Sequence, residues 1–214
     1  MKKKEVYNLI ILDESGSMES IKSAIITGFN EVVQTIQSIE KEFPEQEHYI
    51  SLLSFNGVGI KTIHDRDRAL TLTQINESSY QPNATTPLYD AIGQGVLTLK
   101  NALQGKDKAD YGVLVTILSD GEENASKEFN AAQTKALIEQ MKAENWTFTY
   151  IGANQDVERV AMSLSIQNTL HFEASLQGSN DMFIKEMQAR VRYSKKMNQK
   201  ADLSKGYYDD ENNA

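Results

Sequence analysis

Residues 6–13 read Val-Tyr-Asn-Leu-Ile-Ile-Leu-Asp, a nearly continuous apolar run that stops at an acid. Such a run is typical of a strand that is buried on both faces, as in a parallel sheet. The polar turn Glu14-Ser15-Gly16-Ser17 follows, and apolar residues then recur every three or four positions until Pro44, which predicts a long helix. The chain therefore opens with a buried strand, a turn and a helix that packs back on the sheet.

The same alternation of strand and helix continues along the rest of the chain. The hairpin signal Asn56-Gly57 makes 58–63 an antiparallel edge strand. Apolar patterns predict further strands over 48–55, 111–118, 146–151 and 168–172, and helices over 87–103, 131–143, 157–164 and about 181–198. This order predicts an α/β fold: a Rossmann-like, mostly parallel six-stranded sheet with one antiparallel edge strand and helices on both faces.

The chain length and the absence of a linker indicate one domain. The 214 residues suit a single α/β domain, and we expect it to span residues 1–200, with its last helix at about 181–198. Residues 200–214 are polar and acidic, so we expect a disordered tail there.

Composition excludes several classes of protein. The chain has no cysteine, which rules out a disulfide scaffold, a thiolate zinc site and a cysteine nucleophile. Its net charge of −8 argues against nucleic acid and against anionic lipid as partners. No apolar run is long enough for a signal peptide or a membrane helix, so we expect a cytoplasmic protein without a membrane partner.

Oxygen-bearing side chains stand at the ends of predicted strands. Asp13, Ser15 and Ser17 form D-x-S-x-S after the first strand, Thr85-Thr86 precedes the helix that Pro87 opens, and Asp120 follows the fourth strand. Because the carboxyl ends of parallel strands meet at one edge of a sheet, these groups should lie together. Carboxylate and hydroxyl oxygens suit a hard cation such as Mg²⁺, Mn²⁺ or Ca²⁺.

These stretches resemble the metal-ion-dependent adhesion site of the von Willebrand factor A (VWA) domain family, which includes the integrin inserted domains. The resemblance is carried by NLIILDESGSM, TTPLYDAI and VTILSDGEEN and covers about residues 6–172. It is closer to the cytosolic bacterial and phage members than to the extracellular animal ones.

The resemblance implies a role for each residue of the site. Hydroxyls would coordinate the ion directly, and the two aspartates would mostly hold its waters; the residues are Ser15, Ser17, Thr86, Asp13 and Asp120. Thr86 is preferred to Thr85 because the threonine of the family stands directly before the helix-opening segment, while Ala84-Thr85 here replaces the usual Gly-Gly. The choice between the two threonines stays open at this point.

In this family the ion typically takes a Glu or Asp side chain of a partner protein. The resemblance therefore implies a Mg²⁺-dependent protein–protein interaction module. The motifs contain no nucleophile and no neighbouring histidine that could act as a base, so we do not expect an enzyme.

Three other interpretations remain. A metal-dependent phosphatase of the haloacid dehalogenase type also uses an Asp after the first strand, but it needs a second acid where this chain has Ser15. The chain could instead be a VWA subunit that works with a chelatase or MoxR-type ATPase; that ATPase would be a separate polypeptide, because no phosphate-binding loop is present. Finally, Ser15 and Ser17 could simply cap the first helix.

Acidic residues beside the motifs receive structural interpretations. Glu14, where the family usually has a small residue, could face solvent or tune the charge of the site. Glu122-Glu123 is interpreted as a solvated turn, with a place on the rim of the site as the alternative, and Asp90 as an exposed helix residue.

Overall fold

A computed structural model describes residues 3–153, 157–199, 201, 203 and 206–209. A short 3₁₀ helix, Gly16–Ile21, lies between the first strand and the first helix, and a second one spans Ala69–Thr71. The strands are β1 Lys4–Asp13, β2 Gln46–Asn56, β3 Gly59–Arg68, β4 Tyr111–Ser119, β5 Trp146–Ala153 and β6 Asn168–Phe172, and the helices are α1 Lys22–Glu42, α2 Leu88–Ala102, α3 Ala131–Ala143, α4 Val157–Ser163 and α5 Leu176–Asn198.

The strands form one sheet in the order β3-β2-β1-β4-β5-β6. All neighbouring strands pair in parallel except β2 and β3, which form the antiparallel hairpin at the edge. The predicted fold is therefore confirmed. The strand order reverses between β1 and β4, and sheets of this kind open a crevice at the carboxyl ends of the strands at that point.

Apolar residues on both faces of β1 explain why the sheet is covered on both sides. Leu9 and Ile11 pack against one apolar cluster, and Ile10 and Leu12 pack against the other, because successive side chains of a strand point to opposite faces. All four side chains are buried. The carboxyl end of β1 is thus held rigidly at the centre of the molecule.

Two layers of helices cover the sheet. Helices α2, α3 and α4 contribute apolar residues to the first cluster, and α1 and α5 contribute to the second. Helices α1 and α5 approach closely at Gly28, where a methyl group would lie 1.9 Å from the ring of Phe183. In the described part of the chain, no helix combines the length and the apolar character that crossing a bilayer requires.

Helix α5 starts earlier than the apolar pattern predicted. It begins at Leu176 rather than near residue 181, and the Ser175 side chain caps it by accepting a hydrogen bond from the Gly178 N–H. The first turn is mostly polar, so apolar periodicity could not detect it. The edge strand β3 was predicted to end at residue 63 but continues to Arg68. Its pairing with β2 shifts register on the way, which apolar periodicity does not reveal.

The structure describes part of the predicted tail. Tyr207 is buried in a third apolar cluster with Val6, Leu114 and Tyr193. This residue of the tail, which we expected to be disordered, is therefore packed against the domain. Its hydroxyl donates to Glu186 on α5 at 3.2 Å. The tail expectation for residues 200, 202, 204–205 and 210–214 lies outside the described residues.

Candidate functional site

The predicted site residues gather at the carboxyl ends of β1 and β4. Asp13 is the last residue of β1, and Asp120 directly follows β4, its neighbour in the sheet. Ser15 and Ser17 lie in the turn and the 3₁₀ helix after β1. Thr86 lies one residue before Pro87, the N-cap of α2. Three separate segments of the chain thus reach the crevice where the strand order reverses.

Hydrogen bonds connect four of these residues directly. The Ser17 hydroxyl donates to Asp120 Oδ1 at 2.6 Å, and the hydroxyl oxygens of Ser15 and Ser17 lie 3.2 Å apart. The Ser15 N–H donates to Asp13 Oδ1 at 2.7 Å. The other oxygen of Asp13, Oδ2, accepts from the Ser119 hydroxyl at 2.5 Å. The carboxylates and hydroxyls therefore form one continuous cluster.

Gly121 brings Thr86 into the same place. A methyl group on Gly121 would lie 2.9 Å from Thr86 Oγ1 and 3.7 Å from Asp13 Oδ2, so both oxygens face the space that glycine leaves open. Thr86 is buried, whereas Thr85 is exposed. The Thr85 hydroxyl lies at the β2–β3 hairpin instead, 2.1 Å from where a methyl group of Gly57 would stand. Of the two threonines, Thr86 is the one that faces the site.

The capping interpretation explains the serines poorly. Ser15 occupies the N-cap position of the 3₁₀ helix, but its side chain makes no capping hydrogen bond. The hydroxyls of Ser15 and Ser17 instead face each other and Asp120. Both hydroxyls thus contribute to the cluster rather than to the helix terminus.

Burial disfavours the charged forms of the two carboxyl groups in the site. Asp13 is fully buried, and burial raises its pKa to about 6, with a further increase from the charge of Asp120; hydrogen bonds from Ser119 and Ser15 act in the opposite direction. Burial also raises the pKa of Asp120. A cation between the two groups would favour their charged forms.

The donor set fits a hard divalent cation. It consists of three hydroxyls and two carboxylates, with a crevice beside Gly121 that a single methyl group would fill. Among the residues that the structure describes, no group of three or more His, Cys, Asp or Glu side chains is placed to hold a metal. Because the site offers only two carboxylates and no imidazole, a bound cation would take its other protein ligands from the hydroxyls.

Glu14 does not face solvent, which was one of its two predicted placements. It is buried, and its side chain accepts a hydrogen bond from the Gln81 N–H at 2.5 Å. Its carbonyl oxygen also accepts from the Asn83 N–H at 2.8 Å, and Lys61 lies 3.7 Å from its carboxylate. Glu14 thus ties the loop before Thr86 to the end of β1.

Asp90 and Glu123 also differ from their predicted roles. Asp90 is buried rather than exposed, because its carboxylate accepts the N–H groups of residues 127, 128 and 129. Glu123 is not a solvated turn residue: its carboxylate accepts the N–H groups of Tyr89, Ala125 and Ser126. An acid in the first turn of a helix, such as Asp90, is visible in the sequence. The N–H groups that bind it lie more than 30 residues away, so the sequence pattern does not reveal them.

Fold and site together define an α/β domain with a polar site at the reversal of its strand order. A family model of the von Willebrand factor type A domain matches residues 9–200, and the chain belongs to this family. No curated protein sequence matches the chain.

Solved structures share the fold at low sequence identity. The pilus adhesin SpaC from Lactobacillus rhamnosus GG, in an open conformation, is 13% identical with a TM-score of 0.61, over 90% of this chain and 30% of the adhesin. The manganese-loaded TRAP protein of Plasmodium vivax is 14% identical with a TM-score of 0.57, over 87% of this chain and 74% of TRAP. The VWA domain of SpRpn10 is 13% identical with a TM-score of 0.54, over 86% and 95%.

The chain corresponds to only one part of some of these proteins. It spans 30% of SpaC and 47% of the proximal thread matrix protein 1 from the mussel byssus. At identities of 13–14%, the likeness shows a shared fold.

Proposed function

We propose that this protein is a divalent-metal-dependent interaction module that recognises a Glu or Asp side chain of a partner protein. The observation that carries the proposal is the convergence of hydroxyls and carboxylates at the end of β1 and β4. The ion would be Mg²⁺, with Mn²⁺ or Ca²⁺ as alternatives, and its ligands would come from Asp13, Ser15, Ser17, Thr86 and Asp120. The manganese-loaded TRAP structure is a precedent within the same fold.

The neutral hydroxyls explain how such a site would recognise an acid. An ion held mainly by uncharged oxygens keeps much of its positive charge and attracts one further anionic ligand. Ser15, Ser17 and Thr86 would supply those oxygens. Asp120 accepts the Ser17 hydroxyl and so orients it, while Asp13 accepts the Ser15 N–H and so fixes the turn that carries the Ser15 hydroxyl.

We propose recognition rather than catalysis for this site. The residue two positions after Asp13 is Ser15, so the acid that a phosphatase of the haloacid dehalogenase type uses for proton transfer is missing. Ser119 contacts Asp13, but its hydroxyl donates to the carboxylate and is buried under it. Purified protein should therefore hydrolyse a generic phosphate ester no faster than the Asp13→Ala variant.

The metal part of the proposal is tested by thermal melts with two neighbouring variants. Saturating Mn²⁺ or Mg²⁺ should stabilise the wild type by about 1–3 kcal/mol relative to EDTA, because the ion binds only the folded state. Thr86→Ala should lose this gain. Thr85→Ala is the matched control and should keep it, because Thr85 faces the hairpin. Identical wild-type melts in EDTA and in Mn²⁺ would refute metal binding.

The recognition part is tested by affinity measurements with a protein partner captured from the native host. Binding should require the ion, the Thr86 hydroxyl and one acidic residue of the partner. Removing any of the three should weaken binding by about two orders of magnitude or more, since a desolvated charge contact at an interface is worth several kcal/mol. A partner that binds equally well in EDTA would place recognition on another surface.

A further inference from the structure

The main chain of Thr86 is held from both sides by one residue of a different loop. The Thr86 N–H donates to Asn124 Oδ1 at 2.9 Å, and the Asn124 N–H donates to the Thr86 carbonyl oxygen at 3.1 Å. Asn124 comes four residues after Asp120, in the loop between β4 and α3. This reciprocal pair therefore joins the segment that carries Thr86 to the segment that carries Asp120.

Thr86 needs such support because its own segment has no regular structure. Residues 72–87 belong to neither a helix nor a strand. Fixing a residue in a loop of this length costs conformational entropy that no helical or sheet hydrogen bond offsets. Glu14 holds the earlier part of this segment through the N–H groups of Gln81 and Asn83, so Asn124 is the residue that holds Thr86 itself.

Two acids also connect the loop after Asp120 with the start of α2, one acid from each side. Glu123, in the loop, accepts the Tyr89 N–H at the start of α2 at 2.9 Å. Asp90, on α2, accepts the N–H groups of residues 127–129 at 2.8–2.9 Å. The loop after Asp120 and the amino end of α2 are thus joined on both sides of the Asn124–Thr86 pair.

We propose that Asn124 is a positioning residue for the metal site: it holds Thr86 at a fixed place relative to Asp120, so that the Thr86 hydroxyl is ready for the ion before the ion arrives. The inference rests on the proposed metal-binding function and adds a residue outside the proposed set of metal ligands. Residues that orient a metal ligand typically change affinity about 10–100-fold when they are removed.

The chain offers a matched control for Asn124. Asn130 is also an exposed asparagine, and its side-chain oxygen also accepts a main-chain N–H, that of Gln133 at 3.0 Å. It caps α3 and has no contact with Thr86 among its hydrogen bonds. Asn124→Ala and Asn130→Ala each remove one side-chain acceptor, so their general effects on stability should be similar.

The test measures Mn²⁺ affinity by calorimetry and amide exchange at Thr86 by NMR in the metal-free protein. Asn124→Ala should weaken Mn²⁺ binding about tenfold and accelerate exchange of the Thr86 amide. Asn130→Ala should change neither. Asn124→Asp retains the acceptor oxygen and should keep exchange slow, which would attribute faster exchange in Asn124→Ala to the lost hydrogen bond. Circular-dichroism melts check that each variant is folded; if Asn124→Ala is not, Asn124→Ser takes its place.

Each outcome has a definite meaning. Wild-type Mn²⁺ affinity in Asn124→Ala, or an equal loss in Asn130→Ala, would overturn the positioning role while leaving the proposed metal site intact. A wild type that binds no Mn²⁺ would overturn both, and this failure is visible before any variant is made. Unchanged amide exchange at Thr86 in Asn124→Ala would show that the contact does not order the segment.

Discussion

Two clusters of buried polar side chains lie against the central strands, and they differ in charge. Under α5, Arg190 forms an ion pair with Glu186 at 2.9 Å and donates hydrogen bonds to Asn8 on β1 and Thr116 on β4. At the carboxyl ends of the same strands, Asp13 and Asp120 are hydrogen-bonded by neutral hydroxyl and N–H groups.

Because of this difference, the two clusters differ in their need for a counter-charge. A buried charge is costly unless an opposite charge or several hydrogen bonds offset it. The Arg190 cluster contains its own counter-charge and needs no external ion. The Asp13 cluster carries charge of one sign, and an external cation would complete it. A buried polar cluster that lacks a counter-charge is therefore the better candidate for a cation site.

The largest expected effect comes from breaking the Arg190 cluster. Arg190→Met leaves Glu186 buried without its cation and should lower the free energy of unfolding by about 3–5 kcal/mol, measured by urea denaturation. Adding Glu186→Leu should recover at least half of the loss, because both charges are then gone. Any stabilisation by Mn²⁺ should persist in the folded variants. A loss below 1 kcal/mol would mean that the pair is not buried as described.

Neutralising the other cluster should have the opposite effect. The pKa of Asp13 is raised from 3.8 to about 6, so its carboxylate lowers stability progressively as the pH rises through this interval. In EDTA at pH 7.5, Asp13→Asn should therefore stabilise the protein by about 2–3 kcal/mol, and the gain should shrink near pH 4. The variant should also lose its response to Mn²⁺.

The control for this substitution is Asp181→Asn, which removes an exposed carboxylate on α5. It should have little effect on unfolding at either pH. Destabilisation by Asp13→Asn in EDTA would show that the carboxylate is well satisfied without a cation, and the proposed contrast between the clusters would then fail.

On the Arg190 side of the sheet, the contribution of His48 to stability should change with pH in the opposite direction to that of Asp13. His48 is buried beside Gln46 and Asn8, and burial, with the charge of Arg190, lowers its pKa to about 3. The unfolded chain takes up a proton near pH 6.5 while the folded one does not, so stability falls as the pH drops below 6.5. His48→Gln should remove about 1–2 kcal/mol of this loss at pH 5.

Urea denaturation at pH 7.5 and pH 5 measures this effect, and the exposed His171, substituted as His171→Gln, is the control. If wild type and His48→Gln lose the same stability between the two pH values, His48 does not remain neutral in the folded protein.

The smallest predicted effect concerns the tail. The Tyr208 hydroxyl donates to Glu186 Oε2 at 2.7 Å, which extends the Arg190 cluster into the last described residues. Tyr208→Phe should cost about 1 kcal/mol, the usual net value of an intramolecular hydrogen bond, because Tyr208 is only half-buried. Tyr89→Phe on α2 serves as the comparison outside the cluster. No loss in a urea titration of Tyr208→Phe would mean that the tail does not contribute to the cluster.

Local sequence patterns predicted the fold in detail but missed particular boundaries. The strand over 168–172 and the helix over 131–143 were predicted with the bounds that the structure shows. The start of α5 at Leu176 was missed because its first turn is mostly polar. Apolar periodicity detects buried faces, so it is blind to segments whose hydrogen bonds rather than burial define them.

By itself, the sequence determined the order of strands and helices and the strand ends at which the site residues stand. Both follow from local information: the apolar period of each segment, and the rule that parallel strands bring their carboxyl ends together. Metal binding by these residues stays a prediction. Only the tertiary structure decided that Thr86 rather than Thr85 faces Asp13, that Asp90 and Glu123 are bound by distant N–H groups, and that Arg190 is buried with Glu186. The direction and partners of a polar side chain depend on segments far away in sequence, which no local pattern encodes.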